Sequence, residues 1–419
     1  MERYEEYKDS GIKWIGEIPE QWEIAPIKGI SKIVAGKTPK SDIEEYWGGD
    51  IPWITPADMS EKQISHGSRS ITEAGLTDCG LTLVPEGSVV ISNRAPIGLI
   101  AIASNPLCTN QGCKSLVLPG ESLDYLYYCL CASMNELEQL GQGTTFLELS
   151  AQDLGQFKVP WPSKNIRLAI STFLDEKTVE IDALIEETEK SIELLEEYRK
   201  SVISEAVTKG LNPDAPMKDS GIKWIGEIPA HWKVSKVKYE LINHDNLRMP
   251  VEASLRNQSA EVLYPYYGAS GIVDYIDDYI FDGRRILIGE DGANLVLRNL
   301  PLVYVADGKY WVNNHAHILE PGKHLDFDYA ALQLELIDLT DYITGSAQPK
   351  LSQANLGSIP IVIPSLDEQG SIVRSIADKS GILGRAIESR KELLEKLGQY
   401  RKSLISETVT GKIKVTEVK

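Results

Sequence analysis

The side chains in this sequence that could do chemistry are of the types that read another molecule rather than transform it. Residues 36–40, GKTPK, put Lys37, Thr38 and Lys40 beside Gly36, so two cations, a hydroxyl and open backbone amides share one loop. Such a set suits phosphate oxygens. Ser92, Asn93 and Arg94 in SNR, with Asn110 and Gln111 in TNQG, include the side chains that read base edges: Arg for guanine, Asn or Gln for adenine. Thr144 and Thr145, after Gly143, form a further polar loop. In the second half, Tyr267 and Ser270 in YPYYGASG, Arg284 and Arg285 in DGRR, Asn313, Asn314 and His315 in NNH, and Gln348 and Lys350 in SAQPK are candidates of the same kind. Runs of Gly, Asn and Ser also make ordinary turns, so no one loop decides the matter.

No catalytic set accompanies them. There is no GxGxxG after a strand, no Gly-rich phosphate loop of the motor type and no HExxH. Asn212, Pro213 and Asp214 are not the Asn- or Asp-Pro-Pro-aromatic motif of a DNA adenine methyltransferase. Cys79, Cys108, Cys113, Cys129 and Cys131 lack zinc-ligand spacing and read as reduced thiols of a cytoplasmic protein. The expectation is a non-catalytic chain that binds no metal and no cofactor.

The elements that would position these loops come from a duplication. Residues 8–22, KDSGIKWIGEIPEQW, recur as KDSGIKWIGEIPAHW at 218–232, identical at 13 of 15 positions. Further on, Asp124, Tyr127, Leu130 and Leu137 align with Asp326, Tyr329, Leu332 and Leu339, and YRKSVISEAVT at 198–208 with YRKSLISETVT at 400–410. Between these anchors the halves barely match. Trp14, Trp22, Trp224 and Trp232 belong to the repeat, so packing explains them better than base stacking.

Residues 166–208 carry no Pro or Gly and read as one long helix, with a counterpart in the second half. Leu174, Ile181, Leu195 and Val202 fall on a heptad broken by Thr188; Ile376, Leu383, Leu397 and Leu404 repeat it. These are the candidate spacer and subunit-docking positions. About 40 helical residues span roughly 60 Å, whereas the linker 209–217 reaches at most about 30 Å. It cannot carry the chain back, so the second helix should run antiparallel to the first and end near the N-terminus. Residues 163–210 carry 7 basic and 11 acidic side chains and residues 365–412 carry 9 and 7, which favours pairing within the chain.

The expected architecture is mixed α/β: a reader over 1–163, a helix over 164–210, a second reader over 211–364, and a second helix with its tail over 365–419. The two helices form an antiparallel coiled coil in a pseudo-twofold internal repeat. Strands are expected at 88–92, 99–103, 115–118, 285–289 and 303–305, and reader helices at 123–140 and 327–344. Net charge is −18, from 43 basic and 61 acidic residues, which is unusual for a chain that grips nucleic acid alone. A coiled-coil adaptor joining two protein partners without DNA contact is the alternative, although it gives no reason for two unlike loop-rich readers.

The repeated KDSGIKWIGEIP, GKTP with EYWGGDIPWIT, SNRAPIGLIAI, NQG, YPYYGASGI with DDYIFDG, and the closing LS, LG, P-S and EQ of 351–369 resemble the specificity subunit of type I restriction-modification systems. The resemblance covers nearly the whole chain. It implies two target-recognition domains, each reading half of a split, asymmetric site in double-stranded DNA. It further implies helices that set the gap and dock two methyltransferase subunits, which carry S-adenosylmethionine; a motor-nuclease subunit can join them. In one departure, Glu368 and Gln369 of the second copy face Ile166 and Arg167 in the first.

Overall fold

The computed structural model describes residues 2–94, 96–118, 123–141, 147–256, 262–345 and 348–415. They form two compact units, Met1–Glu189 with Glu392–Lys419, and Lys190–Lys391. Each unit holds one reader and a stretch of both long helices.

In the first unit, strands Lys32–Ala35, Cys113–Val117, Val89–Ser92, Ile100–Ala103 and Gln63–Ile64 lie side by side in that order. All pairs are antiparallel except the last. In the second unit, Leu241–Asn243, Ala316–Pro321, Arg285–Gly289 and Val303–Ala306 repeat the first four positions, again antiparallel. Val, Ile and Leu fill these strands because both sheet faces are covered, as the buried runs Val89–Ser92 and Cys113–Val117 show. A second small sheet joins Trp47–Ile54 to Cys108–Thr109 in parallel in one reader, and Tyr264–Gly268 to Lys309–Val312 in parallel in the other.

The expected strands are present with ends shifted by one or two residues. Of the expected reader helices, one is interrupted and the other stops early. The first breaks at Ser133, between Asp124–Ala132 and Met134–Gln139, where the serine hydroxyl donates back to the carbonyl of Cys129 at 2.9 Å. The second ends at Leu336, because Asp338 accepts from the amide of Thr340 at 3.0 Å and turns the chain.

The first long helix is Lys164–Lys209 and the second Leu366–Val409. They run antiparallel within each unit. In the first unit Asp182 pairs with Arg401 at 2.7 Å, and the earlier Asp175 and Thr178 share a cavity with the later Ile405. In the second unit Glu196 lies 3.9 Å from Lys391, while Ala206 and Val207 share a core with Ile372 and Ile376. Of the heptad positions, Leu174, Ile181 and Leu404 are buried in the first core and Ile376 in the second; Leu195, Val202, Leu383 and Leu397 are half-buried. This corrects one expectation: the four buried side chains bind the helices to the readers and offer no face to another subunit. Thr188, the break in the heptad, is buried and turns its hydroxyl onto the carbonyl of Leu184 at 2.6 Å.

The chain's end returns to its start. The amide of Lys414 donates to the carbonyl of Glu2 at 2.9 Å, and the Tyr7 hydroxyl to the carbonyl of Gly411 at 3.1 Å. Gly411 has φ 73°, and a Cβ there would lie 2.4 Å from Pro19 Cδ, so only glycine can turn the helix end onto the repeated hairpin. Trp22 and Trp232 are fully buried, and Trp14 stacks on Phe157 at 5.9 Å, which is the packing role expected of the repeated tryptophans.

The alignment inside the reader helix needs correcting. Tyr125 Oη donates to the carbonyl of Val409 at 3.0 Å and Tyr329 Oη to that of Val207 at 3.0 Å. Val207 and Val409 are repeat equivalents, so Tyr329 corresponds to Tyr125, not Tyr127. Replacing either tyrosine by Phe should cost about 1–2 kcal/mol through the buried carbonyl it leaves bare. Paired melting curves would check it; hydrogen exchange should rise in the first unit for Tyr125→Phe and in the second for Tyr329→Phe.

The departure at 368–369 has a structural answer. Gln369 donates to the carbonyl of Pro364 at 3.0 Å, and Arg167, its repeat equivalent, donates to that of Pro162 at 2.8 Å. Glu368 accepts from Trp232 Nε1 at 3.2 Å, whereas Ile166 offers nothing, and Trp22 Nε1 has no partner among the described residues.

Candidate nucleic-acid interface

Three loops meet at one edge of the first reader. A Cβ on Gly36 would fall 1.9 Å from the carbonyl oxygen of Asn110, so glycine is what lets the 36–40 loop lie against the TNQG turn. The amide of Lys37 donates to the carbonyl of Thr109 at 2.9 Å, and the Thr38 hydroxyl donates to Gln111 Oε1. Asn110 Oδ1 accepts from the amide of Gly112 at 2.9 Å, and Gly112 in turn accepts from the amide of Asn93 at 2.9 Å. Lys37, Thr38, Lys40, Arg94 and Gln111 are exposed there. Lys37 Nζ rests on the carbonyl of Gly80 at 2.8 Å, and Lys40 accepts Trp47 Nε1 on its carbonyl at 3.1 Å.

Two candidates in this edge are frame, not surface. Ser92 is fully buried; its hydroxyl donates to the carbonyl of Pro96 at 2.7 Å and accepts from the amide of Leu99 at 2.8 Å. Asn93 is fully buried and donates to Glu148 Oε1 at 3.0 Å. Glu148 also holds Arg94, at 3.1 Å, and the buried Lys114, at 3.8 Å. Thr144 and Thr145 lie outside the described residues.

The second reader rebuilds the same edge from other residues. Asn313 Oδ1 accepts from the amide of His315 at 2.8 Å, as Asn110 does from Gly112. The amide of Glu290 donates to the carbonyl of His315 at 2.8 Å, as Asn93 does to Gly112. The amide of Leu351 donates to the carbonyl of Glu290 at 2.8 Å, and that of Leu149 to Asn93 at 2.8 Å. The isolated bridge Arg94 to Glu148 has its counterpart in Asp291 to Lys350. Hence Asn93 matches Glu290, Arg94 matches Asp291, Glu148 matches Lys350 and Lys114 matches His317. The backbone is kept and the chemistry is not.

Glu290, buried in this edge, takes Arg248 on one oxygen and Lys350 Nζ on the other at 3.0 Å. His315, exposed, pairs with Asp291 at 2.9 Å. His317, fully buried, bonds Asp245 through Nδ1 at 2.6 Å and the carbonyl of Leu351 through Nε2 at 2.7 Å. Both ring nitrogens therefore face acceptors. Asn314, Ser270 and Gln348 are exposed.

Four second-reader candidates change role. Tyr267 is wedged between the rings of Tyr304, at 5.8 Å, and Tyr310, at 5.6 Å, and Asn313 is buried as the turn residue. Tyr267 therefore packs. Arg284 and Arg285 do not join the group, since they stand at the start of the strand whose far end carries Glu290. Arg284 binds Asp328 at 2.7 Å over the ring of Phe327, and Arg285 binds Glu320 at 3.1 Å. Sequence reading missed Glu148, Lys114, Arg248, Asp245, Glu290 and Asp291. Their one signal was adjacency: Glu148 precedes the repeated Leu149, and Glu290 and Asp291 follow a buried strand.

Asp245, Glu290 and His317 bring ligand atoms within 4.8 Å of one another and could geometrically hold a metal ion. Arg248 and Lys350 already neutralise the two carboxylates, so a divalent cation would have to displace both. Burial opposes the charge of Asp245, yet bonds from His317 and the amide of Ile318 hold its carboxyl below the ordinary value; burial likewise opposes Glu290, which Arg248 and Lys350 hold low. A depressed folded pKa adds stability above the unfolded values, about 3.9 for Asp and 4.3 for Glu, and that stability is lost as pH falls through the lower folded values. The second unit should therefore lose stability steeply below about pH 4. Asp245→Asn should flatten that acid limb in a pH series of melting curves; an unchanged limb would remove Asp245 from the account.

No helix among the described residues is long and apolar enough to cross a membrane. Residues 19–194 and 229–396 match the type I restriction modification DNA specificity domain. The chain is 29% identical to the type I restriction enzyme MjaIX specificity subunit of Methanocaldococcus jannaschii, over 99% of this chain and 98% of that one. It is 25% identical to the EcoprrI specificity subunit of Escherichia coli, over 87% and 89%. Its fold resembles a chain solved in work on complex assembly and conformational transition of the type I R-M system, with TM-score 0.69, 13% identity, and 94% and 99% of the two chains covered.

Proposed function

The chain belongs to the type I restriction modification DNA specificity family, and from that premise we propose that it chooses the DNA sequence on which a type I restriction-modification complex acts. The observation that carries this reading is one kept scaffold bearing two unlike polar edges: Arg94 and Glu148 in one reader, Asp291 and Lys350 in the other. Each reader takes one half of a split, asymmetric site in double-stranded DNA. In the first, Lys37, Thr38 and Lys40 meet phosphate while Arg94 and Gln111 face base edges. In the second, Asn314, His315, Gln348 and Lys350 supply the contacts. An adaptor that never touches DNA has no use for such edges.

The chain itself is the recognition subunit, and the chemistry belongs to its partners. Two methyltransferase subunits carrying S-adenosylmethionine dock on the repeated frame, and motor-nuclease subunits join them. Val179, Leu194, Tyr198, Ile382 and Tyr400 support docking, because they are large apolar side chains left exposed on the long helices. A net charge of −18 leaves the partners to supply much of the positive field around the DNA.

Mapping methylation in cells with and without the gene tests the reading. The expected result is a two-part motif with an unread gap. Removing two turns from both long helices should shorten the gap and leave the half-sites as they were. Methylation without a sequence preference would overturn the function, and altered half-sites would overturn the spacer role.

A further inference from the structure

We propose that Glu148 in the first reader and Glu290 in the second are positioning residues that fix the cations by which each reader discriminates its half-site. The inference rests on the DNA-reading function above and goes beyond it by assigning two carboxylates a part in specificity.

The matched backbones put the two acids next to the same bridge, at different corners. Glu148 stands on the bridge itself, where the second reader has Lys350; Glu290 stands one residue before it, where the first reader has Asn93. Sequence identity between the readers is lost here, yet each edge keeps one carboxylate with two cations on it. Glu148 gathers Arg94 and Lys114; Glu290 gathers Arg248 and Lys350.

A carboxylate at an edge that approaches phosphate is unfavourable for affinity, so its recurrence calls for a compensating role. Long cationic side chains lose rotamer freedom when they bind, and one already held in place loses less. The pairs are built for that. Arg94 and Glu148 are 48% and 43% exposed, so the pair sits at the surface, and Arg94 meets the acid through Nε and one terminal nitrogen. Its remaining terminal nitrogen can turn to an acceptor such as guanine O6 or N7. In the second reader Glu290 is buried while Lys350 is 53% exposed, so the acid anchors from beneath and the ammonium faces out.

The two physical roles of an acid separate in one experiment. A carboxylate that merely repels DNA would, once neutralised, raise affinity for all sequences and leave selectivity alone. A positioning carboxylate would, once neutralised, lower selectivity at its own half-site. The assembled complex with its methyltransferase partners is assayed for methylation rate on DNA carrying single base changes in each half-site. Glu148→Gln should reduce discrimination by roughly tenfold in the first half-site and leave the second unchanged; Glu290→Gln should do the reverse. Arg94→Gln and Lys350→Gln, at exposed side chains, should reproduce the respective losses if a glutamine variant folds poorly. Glu148→Asp, which keeps the charge, should restore part of the selectivity. Unchanged discrimination at both half-sites, or an equal loss at both, overturns the proposal. A wild-type complex with no two-part preference would instead remove the underlying function.

Discussion

A chain ending after Lys391 is expected to lose its first reader and keep its second, although the second lies nearer the cut in sequence. Residues 392–419 supply Leu404, Ile405, Val409 and Ile413 to the core that holds Trp22, Leu130 and Leu174. Withdrawing four buried aliphatic side chains at about 1.5–3 kcal/mol each forfeits roughly 6–12 kcal/mol, comparable to a domain's whole stability. The bonds from Tyr125 to Val409 and from Tyr7 to Gly411 go with them. The second core keeps Ala206, Val207, Ile372 and Ile376. Hydrogen exchange on the truncated chain should show fast exchange over strands 89–92 and 113–117 and retained protection over 285–289 and 316–321. Equal protection in both readers would refute the account.

Asp245→Ala should be the most damaging single change in the second reader. It removes the acceptor for buried His317 Nδ1 at 2.6 Å and for the amide of Ile318 at 2.9 Å, and leaves Arg248 facing one carboxylate fewer. Each buried donor left without an acceptor costs about 1–3 kcal/mol, and here the His317 ring and the Ile318 amide both lose theirs. Asp245→Asn keeps an acceptor oxygen and should cost less. Melting curves of the two variants beside the wild type decide it. A melting point for Asp245→Ala within a degree of wild type would show that the network carries no stability.

How far the site could be read in advance varies with residue type. The motifs SNR, TNQG and NNH did mark the edges where the loops converge, since turn-forming residues follow strand ends. Within them the reading ranked side chains by what they can bind. Ser92, Asn93 and Asn313 can bind bases, but Ser92 ends a strand covered on both faces, Asn93 is buried against Glu148, and Asn313 commits its oxygen to an Asx turn. Glu148 and Glu290 were passed over because isolated acids in an acidic chain carry no pattern. Their partners come from 54 and 42 residues away, Arg94 and Arg248, and only folding brings them together.

The sequence by itself determined the duplication, each end of the first helix to within two residues and the antiparallel course of the pair. Repeats, helix propensity and linker reach are properties of the chain read locally, and they need no knowledge of contacts. Tertiary structure alone decided that Tyr329 answers to Tyr125, that Arg167 does the work of Gln369, and that the unlike readers share one turn and one bridge. The first two rest on different positions or side chains reaching matching carbonyls, and the last on backbone hydrogen bonds, which any side chain permits, so all three survive substitution that erases the sequence signal. The same physics leaves the outward positions free to differ, as Arg94 and Asp291 do at one place on one scaffold.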